Sequence, residues 1–406
     1  MTAETPGLDK IIIVGAGPSG LLLALLLAKQ GIAVQVVEST SGLDTQPRAT
    51  HYAAPAVDEL VRAGVYKDVQ EKGFQPAGAS WRKLDGTVLG ALDNTILGDG
   101  PERIVCLPLD KLGQILHDHL KKQSTARIEW RHKVVDIGQD ASKAWVEVET
   151  PEGQKRLEAD YIVGCDGANS QIRRSLFGQS FPGWTWDEQI VATNMYYDFK
   201  KYGYDDANFF IHPEHWYMAA RISKHGLWRV SYGELPGLTR EQLSDRLPFK
   251  FEAMLPGNPK PGQYKLANFS PYRIHQRLAE KMRVGRFLLA ADAAHLCNPF
   301  GGLGLTGGIV DVGGLFDCLV GIHEGKADES ILDKYSEIRS QKYKEFIDPL
   351  SSSNIRRLFD QDPDEALQKD EFLKLCKKAE MDIDFSREMQ MGIKAIKYDF
   401  TQEYTK

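Results

Sequence analysis

The chain reads as an α/β fold in which a first domain is interrupted by an inserted antiparallel β-sheet domain and followed by a helical C-terminal extension. A strand, glycine-rich loop, helix and strand succeed one another over residues 11–38. Aromatic-rich segments suited to strands fill residues from about 181 to 269, and mixed α/β texture resumes at Arg286.

The β-branched run Ile11–Val14 breaks into Gly15-Ala16-Gly17-Pro18-Ser19-Gly20. Leu21–Gln30 is a buried helix ended by Gly31, and Ala33–Val37 is a strand finishing on Glu38. Tyr52–Ala63 has helical spacing, Trp81–Leu89 is a hairpin turned at Asp85-Gly86, and Leu109–Lys122 is a helix. Arg127–Ile137, Trp145–Glu149 and Tyr161–Val163 read as strands, the last leading into Gly164-Cys165-Asp166-Gly167. In the inserted region the strands are Ile190–Phe199, Ala207–Ile211, Trp216–Ile222 and Leu227–Tyr232. Arg286–Ala291 then leads to Asp292, a glycine-rich loop and an apolar helix over Gly308–Val320. The expected division is 1–75, 101–180 and 271–350 for the first domain, 76–100 and 181–270 for the inserted one, and 351–406 for the extension.

Composition narrows the functions available. With 406 residues, 42% of them hydrophobic and 26% charged, the chain has the make-up of a globular protein of two to three domains. A net charge of −6 offers no excess of cations for a nucleic-acid backbone. The five cysteines are scattered without a zinc-like cluster, and the first ten residues lack a signal-peptide pattern, so a cytoplasmic protein is expected. The apolar run Leu21–Ala28 is too short to span a bilayer, and no membrane anchor is expected.

Three glycines alone say little in a chain with 37 of them, but Gly15-x-Gly17-x-x-Gly20 follows a strand, opens a helix and precedes a strand-terminal acid. This is the arrangement of a Rossmann-like site: Gly15 for the tight turn, Gly17 for close approach to a pyrophosphate, Gly20 for packing helix on strand. Pro18 and Ser19 lie in the loop that leads into the helix, whose N-terminus favours phosphate. Glu38 suits a ribose 2′-hydroxyl and would repel a 2′-phosphate, which favours FAD or NAD here. Asp166 and Asp292, each just past a strand and beside small residues, are further anchors for a long cofactor. The stretch Pro299-Phe300-Gly301-Gly302-Leu303-Gly304-Leu305-Thr306-Gly307-Gly308 brings bare N–H groups and a helix N-terminus toward a planar electron acceptor.

These motifs, with Pro47-Arg48-Ala49, the segment Gly164–Arg173 and the segment Gly285–His295, resemble the FAD-dependent aromatic hydroxylases of the p-hydroxybenzoate hydroxylase type, the group A flavoprotein monooxygenases. The resemblance spans residues 11–321. It implies that Arg48 and Asp166 lie by the FAD and the path of NADPH, that Asp292 holds the ribityl chain, and that Pro299, Gly301, Gly302 and Gly304 border the isoalloxazine, with Leu305 among the cofactor-binding residues. It further implies transient reduction by NADPH and insertion of one oxygen atom from O2 into a phenolic or indolic ring through a flavin C4a-hydroperoxide. The sequence departs from the family at Ala291 (usually Gly), at Thr306 (commonly Asn) and at Leu109 (often Gln or Arg). The Thr306 loop is similar to that of tailoring enzymes of secondary metabolism.

Candidate catalytic residues lie on the inserted sheet: His212, Tyr217, Arg221, Arg229 and Tyr232, with His51 and Tyr52 as further candidates. Alternation puts Trp228, Val230 and Tyr232 on one face and Arg229 with Ser231 on the other, without saying which face meets a flavin. His117 and His119 point apart on their helix and read as a solvated face. Epoxidation or oxidative rearrangement by the same fold stands as one alternative, and a flavin reductase or non-catalytic redox sensor as another.

Overall fold

The computed structural model describes residues 7–405 and is built on two large sheets, accompanied by a three-stranded sheet of Lys133–Gln139, Ala144–Thr150 and Gly153–Ala159 and a two-stranded one of His51–Tyr52 and Val105–Cys106. The first has six strands in the order Arg283–Val284, Phe287–Leu289, Tyr161–Gly164, Lys10–Val14, Ala33–Glu38 and Ala126–Trp130. Its members run parallel except at the Arg283–Val284 edge. A sheet buried on both faces needs near-continuous apolar strands, and Ile11, Ile12, Ile13, Val36 and Val37 are fully enclosed. Two helices cover it, Pro18–Lys29 and Leu303–His323, both apolar on nearly every side. The 303–323 helix has the length and hydropathy to cross a membrane, and 89% of that apolar window is buried in the protein, as in a core element. It contains the apolar helix expected over Gly308–Val320 and is longer than the Leu21–Ala28 run.

The second sheet has eight strands, in the order His295–Leu296, Lys265–Leu278, Gly183–Tyr196, Leu227–Glu234, Tyr217–Arg221, Ala207–Phe210, Gly78–Arg82 and Val88–Asp93. It is not wholly antiparallel: Ala207–Phe210 pairs in parallel with Gly78–Arg82, because the hairpin at residues 78–93 arrives from far back in the chain. One face carries a core of Val191, Phe210, Tyr217, Trp228, Val230 and Tyr232 against Leu243, Leu247 and Phe251 of the helix Arg240–Met254. That helix, unassigned in the sequence reading, opens with a capping box between Thr239 and Gln242.

Other departures have local causes. Arg127–Ile137 is two strands in different sheets, broken at Arg131, whose φ of 58° turns the chain. The strand Gly153–Ala159 was not foreseen, since its faces are largely exposed and show little apolar alternation. The apolar helix after the glycine-rich loop starts at Leu303, five residues before the predicted Gly308, so Gly304, Leu305 and Thr306 sit in its first turns. Helix Asp348–Phe359 runs across residue 351, and Phe400 and Tyr404 return to pack on the 303–323 helix. His119 is paired with Asp68 at 2.6 Å and His117 packs edge-on to Trp130, so these side chains are engaged and not merely solvated.

Candidate cofactor and active site

The opening glycine loop separates its structural from its ligand-facing positions. A Cβ on Gly20 would collide with the carbonyl of Gly15 and crowd Ile13, whereas one on Gly17 would meet no atom within 4 Å. Gly17 therefore faces open space beside the helix N-terminus, where the first-turn N–H groups have no partner within the helix. Pro18 occupies the first turn, where its missing N–H costs nothing, and Ser19 is half-buried beside it. Glu38 braces the loop: Oε2 accepts from Ala16 N at 2.8 Å, while Oε1 accepts from Thr40 N at 2.9 Å and Ser39 Oγ at 3.1 Å.

Asp166 accepts from Gln171 N at 2.6 Å and Ile172 N at 3.2 Å, and burial raises its carboxyl above the ordinary range despite those bonds. Arg173 ties this loop to the next, donating to Ala168 O at 2.8 Å and Ala293 O at 3.0 Å. Asp292 has an exposed surface yet is ringed by protein, which raises its carboxyl against the pull of His295 and Arg48. A residue both exposed and desolvated stands in a deep cleft. Tyr272 has the same character: 37% of it is accessible, but burial pushes its hydroxyl up to about 12. The methyl of Ala291 lies against Gly308, whose lack of a Cβ makes room for it on the helix side.

Pro299 precedes Gly301 and Gly302, both left-handed at φ 105° and 66°, and these deliver the chain into the 303–323 helix. Thr306 is buried there, and Leu109 packs on the core with its N–H on Ala49 O at 3.1 Å. Thr306 Oγ1 accepts from Ala53 N at 3.5 Å.

Strand register resolves the two faces of the eight-stranded sheet. Asn194 is opposite Arg229, Ala192 opposite Ser231, and Ile190 opposite Tyr272, so Arg229 and Tyr272 share the face turned from the 240–254 helix. Arg229 donates through Nε to Asn194 Oδ1 at 3.0 Å and through its Nη atoms to the carbonyls of Pro47 and Arg48. Arg48 itself is exposed and paired with Asp44 at 2.6 Å. His51 lies alongside: its Nδ1 meets Thr50 Oγ1 at 2.9 Å, its Nε2 is buried without a partner, and burial together with Arg229 lowers it to about 4. The amide nitrogen of Asn194 is likewise buried and unpartnered.

The remaining predicted catalytic residues are elsewhere. Tyr217 and Tyr232 sit in the core under the 240–254 helix, Tyr217 bonded to Tyr204 at 2.7 Å and Tyr232 edge-on to Phe251. His212 caps a turn, accepting from Glu214 N at 3.1 Å and His215 N at 2.9 Å. Arg221 lies over Phe74 and, with Lys200, Lys224, Tyr196 and Trp228, borders an open groove of about 550 Å³. Tyr52 is fully buried, with its hydroxyl on Leu107 O at 3.0 Å. Asn194 and Tyr272 were missed because only register places them beside Arg229. No group of three metal-ligating side chains occurs among the described residues.

The donor set fits FAD: a phosphate-facing helix N-terminus, a strand-end acid, and a cleft carboxylate near a left-handed glycine pair. Comparison with known proteins agrees. The model of the FAD binding domain family matches residues 9–349. Para-nitrophenol 4-monooxygenase of Pseudomonas sp. (strain WBC-3) is 37% identical over 369 residues, covering 90% of this chain and 91% of the relative. The 6-hydroxy-3-succinoylpyridine 3-monooxygenase HspB of Pseudomonas putida is 37% identical over 385 residues, covering 94% and 96%. The crystal structure of p-nitrophenol 4-monooxygenase PnpA from Pseudomonas putida DLL-E4 superposes with a TM-score of 0.90 at 36% identity, covering 97% of this chain and 99% of that one. Aklavinone-11 hydroxylase in complex with FAD and aklavinone shares the fold, with a TM-score of 0.74 at 24% identity over 88% of this chain and 70% of that one.

Proposed function

This chain belongs to the FAD binding domain family and is an FAD-dependent aromatic monooxygenase, and on that premise we propose that it hydroxylates a small one-ring phenol or hydroxypyridine taken up as its anion, with NADPH as donor. Arg229 carries this reading. Its guanidinium is desolvated on the cleft face, and its three hydrogen-bond partners are neutral oxygens. A buried cation without a carboxylate is costly unless an anion completes the site. Met218 and Phe209, half-buried on the same sheet face, supply an apolar flank for a ring. The named substrates of the two 37%-identical relatives are one-ring hydroxylated aromatics.

Bound FAD supplies hydride acceptance and oxygen activation. The chain's own groups do the rest. Gly17 and the adjoining helix N-terminus take the pyrophosphate, Glu38 a ribose hydroxyl, Asp292 the ribityl chain, and Arg229 orients the ionised ring oxygen. His51, held neutral, adds no second positive charge beside Arg229.

The test uses purified protein, para-nitrophenol and a hydroxypyridine. Released flavin should be FAD, Asp292→Ala should hold little of it, and NADPH oxidation should quicken with a fitting ring whose product gains one atom from labelled O2. A label arriving from water, or a product gaining only hydrogen, would overturn the monooxygenase assignment in favour of a reductase. Tight binding of the neutral ring in preference to its anion would overturn the substrate reading.

A further inference from the structure

Behind the cleft lies a group of buried charges that the flavin chemistry does not use. Asp311, in the middle of the 303–323 helix, is wholly enclosed, as are His295 and Arg339 at 1% exposure each. One carboxylate oxygen of Asp311 accepts from the backbone N–H of Ala291 at 3.0 Å and from His295 Nε2 at 2.6 Å. The other accepts from Arg339 Nε at 2.7 Å, and Arg339 Nη1 donates to the carbonyl of Ile396 at 2.6 Å. Burial pushes the Asp311 carboxyl up, but the charges and hydrogen bonds of His295 and Arg339 outweigh it and leave the group below its ordinary range.

Ala291 is what this arrangement holds. It is one of three non-glycine residues with positive φ among those described, at 57°, a conformation that costs an L-residue with a Cβ. The turn it makes is the one that delivers Asp292 to the cleft, and among the described residues its N–H is the one backbone donor to the Asp311 carboxylate. Arg339 extends the same contact to the C-terminal segment, which Lys342 also grips through Ala395 O at 2.7 Å. We infer that Asp311 is a positioning residue for cofactor binding: it keeps Ala291 left-handed so that Asp292 faces the cofactor, and Arg339 makes that geometry depend on the docked segment at residues 392–396. The inference rests on the reading of Asp292 as a cofactor ligand.

The distinguishing measurement is FAD affinity of the reconstituted apoprotein, by flavin fluorescence quenching, for the wild type, Asp311→Asn, Ala291→Gly and the double variant. An amide cannot accept on both sides, so Asp311→Asn should weaken FAD about tenfold or more, the scale of losing a charged hydrogen bond. Ala291→Gly alone should change affinity by about twofold at most, since glycine reaches positive φ freely. In the double variant glycine should restore most of the loss, which a merely structural role for Asp311 would not allow. Should Asp311→Asn not fold, Arg339→Lys, which keeps the charge but not the fork joining Asp311 to Ile396 O, carries the same cycle. Unchanged FAD affinity in Asp311→Asn, or a double variant as weak as the single one, overturns the inference. A wild-type protein that does not bind FAD would instead overturn the functional reading beneath it.

Discussion

On the nucleotide wall of the cleft, Gly15, Gly17 and Gly20 lie within one loop and its helix, and their roles follow from what a Cβ would meet. On the sheet wall, Asn194, Arg229 and Tyr272 come from three strands and adjoin only because register aligns them. The first wall is a local backbone device, and any sequence that forms the turn carries it. The second is a side-chain device, and its chemistry depends on a pairing between residues tens of positions apart. Damage should differ accordingly: changes to the loop are paid in folding or cofactor retention, changes to the sheet in substrate selection.

The largest effect is expected at Gly20→Ala. With the carbonyl of Gly15 directly in the way, it should cost about 4 kcal/mol or more of stability, or leave no folded protein, in a urea titration. Gly17→Ala, entering open space, should fold with an unchanged midpoint and lose FAD affinity. Equal destabilisation by both would break the distinction between packing and ligand-facing glycines.

A pH effect comes next. The folded protein holds His51 at about 4 against an ordinary 6.5, so the folded form binds fewer protons there. Its contribution is full above pH 6.5 and is lost as pH falls through 4, to roughly 3 kcal/mol at most. His51→Gln should flatten the wild-type decline in unfolding free energy between pH 6.5 and 4. A decline of the same slope in both proteins would place the titrating group elsewhere.

Arg229→Met should raise the KM for an ionised phenol by about tenfold to a hundredfold, matching a charge-assisted contact of about 1.5–3 kcal/mol. Flavin content should stay near wild type, and the deficit should shrink at pH values where the phenol is neutral. Loss of flavin with an unchanged KM would move Arg229 from the substrate wall to the nucleotide wall. The smallest change is expected at Tyr232→Phe. The hydroxyl has no hydrogen-bond partner among the described residues and faces the helix core, so KM should be unaltered and stability should move by about 1 kcal/mol or less. A substantial rise in KM would mean that the sheet presents its other face.

Much of the nucleotide wall was legible because its determinants are contiguous. Strand, glycine loop, helix and Glu38 are each readable in a window of about one element, and Glu38 proves to brace the very loop it follows. Legibility failed where the signal was not periodic. The strand Gly153–Ala159 lacks an apolar face, the helix Arg240–Met254 carries Pro248 within it, and the parallel pair at Ala207–Phe210 depends on a hairpin more than a hundred residues away. Residue type puts five catalytic candidates on one sheet, yet that sheet sorts them among a core, a turn, a groove and the cleft.

By itself the sequence determined the α/β class, the dinucleotide loop and the family, because backbone conformation and buried apolar strands are specified by neighbours in the chain. Only the tertiary structure decided that Arg229 faces the cleft while Tyr217 and Tyr232 do not, and that Asp311 reaches Ala291 across twenty residues. Alternation along a strand divides its side chains into two sets. It is the packing of the helix Arg240–Met254 against one of those sets that leaves the other free for a ligand.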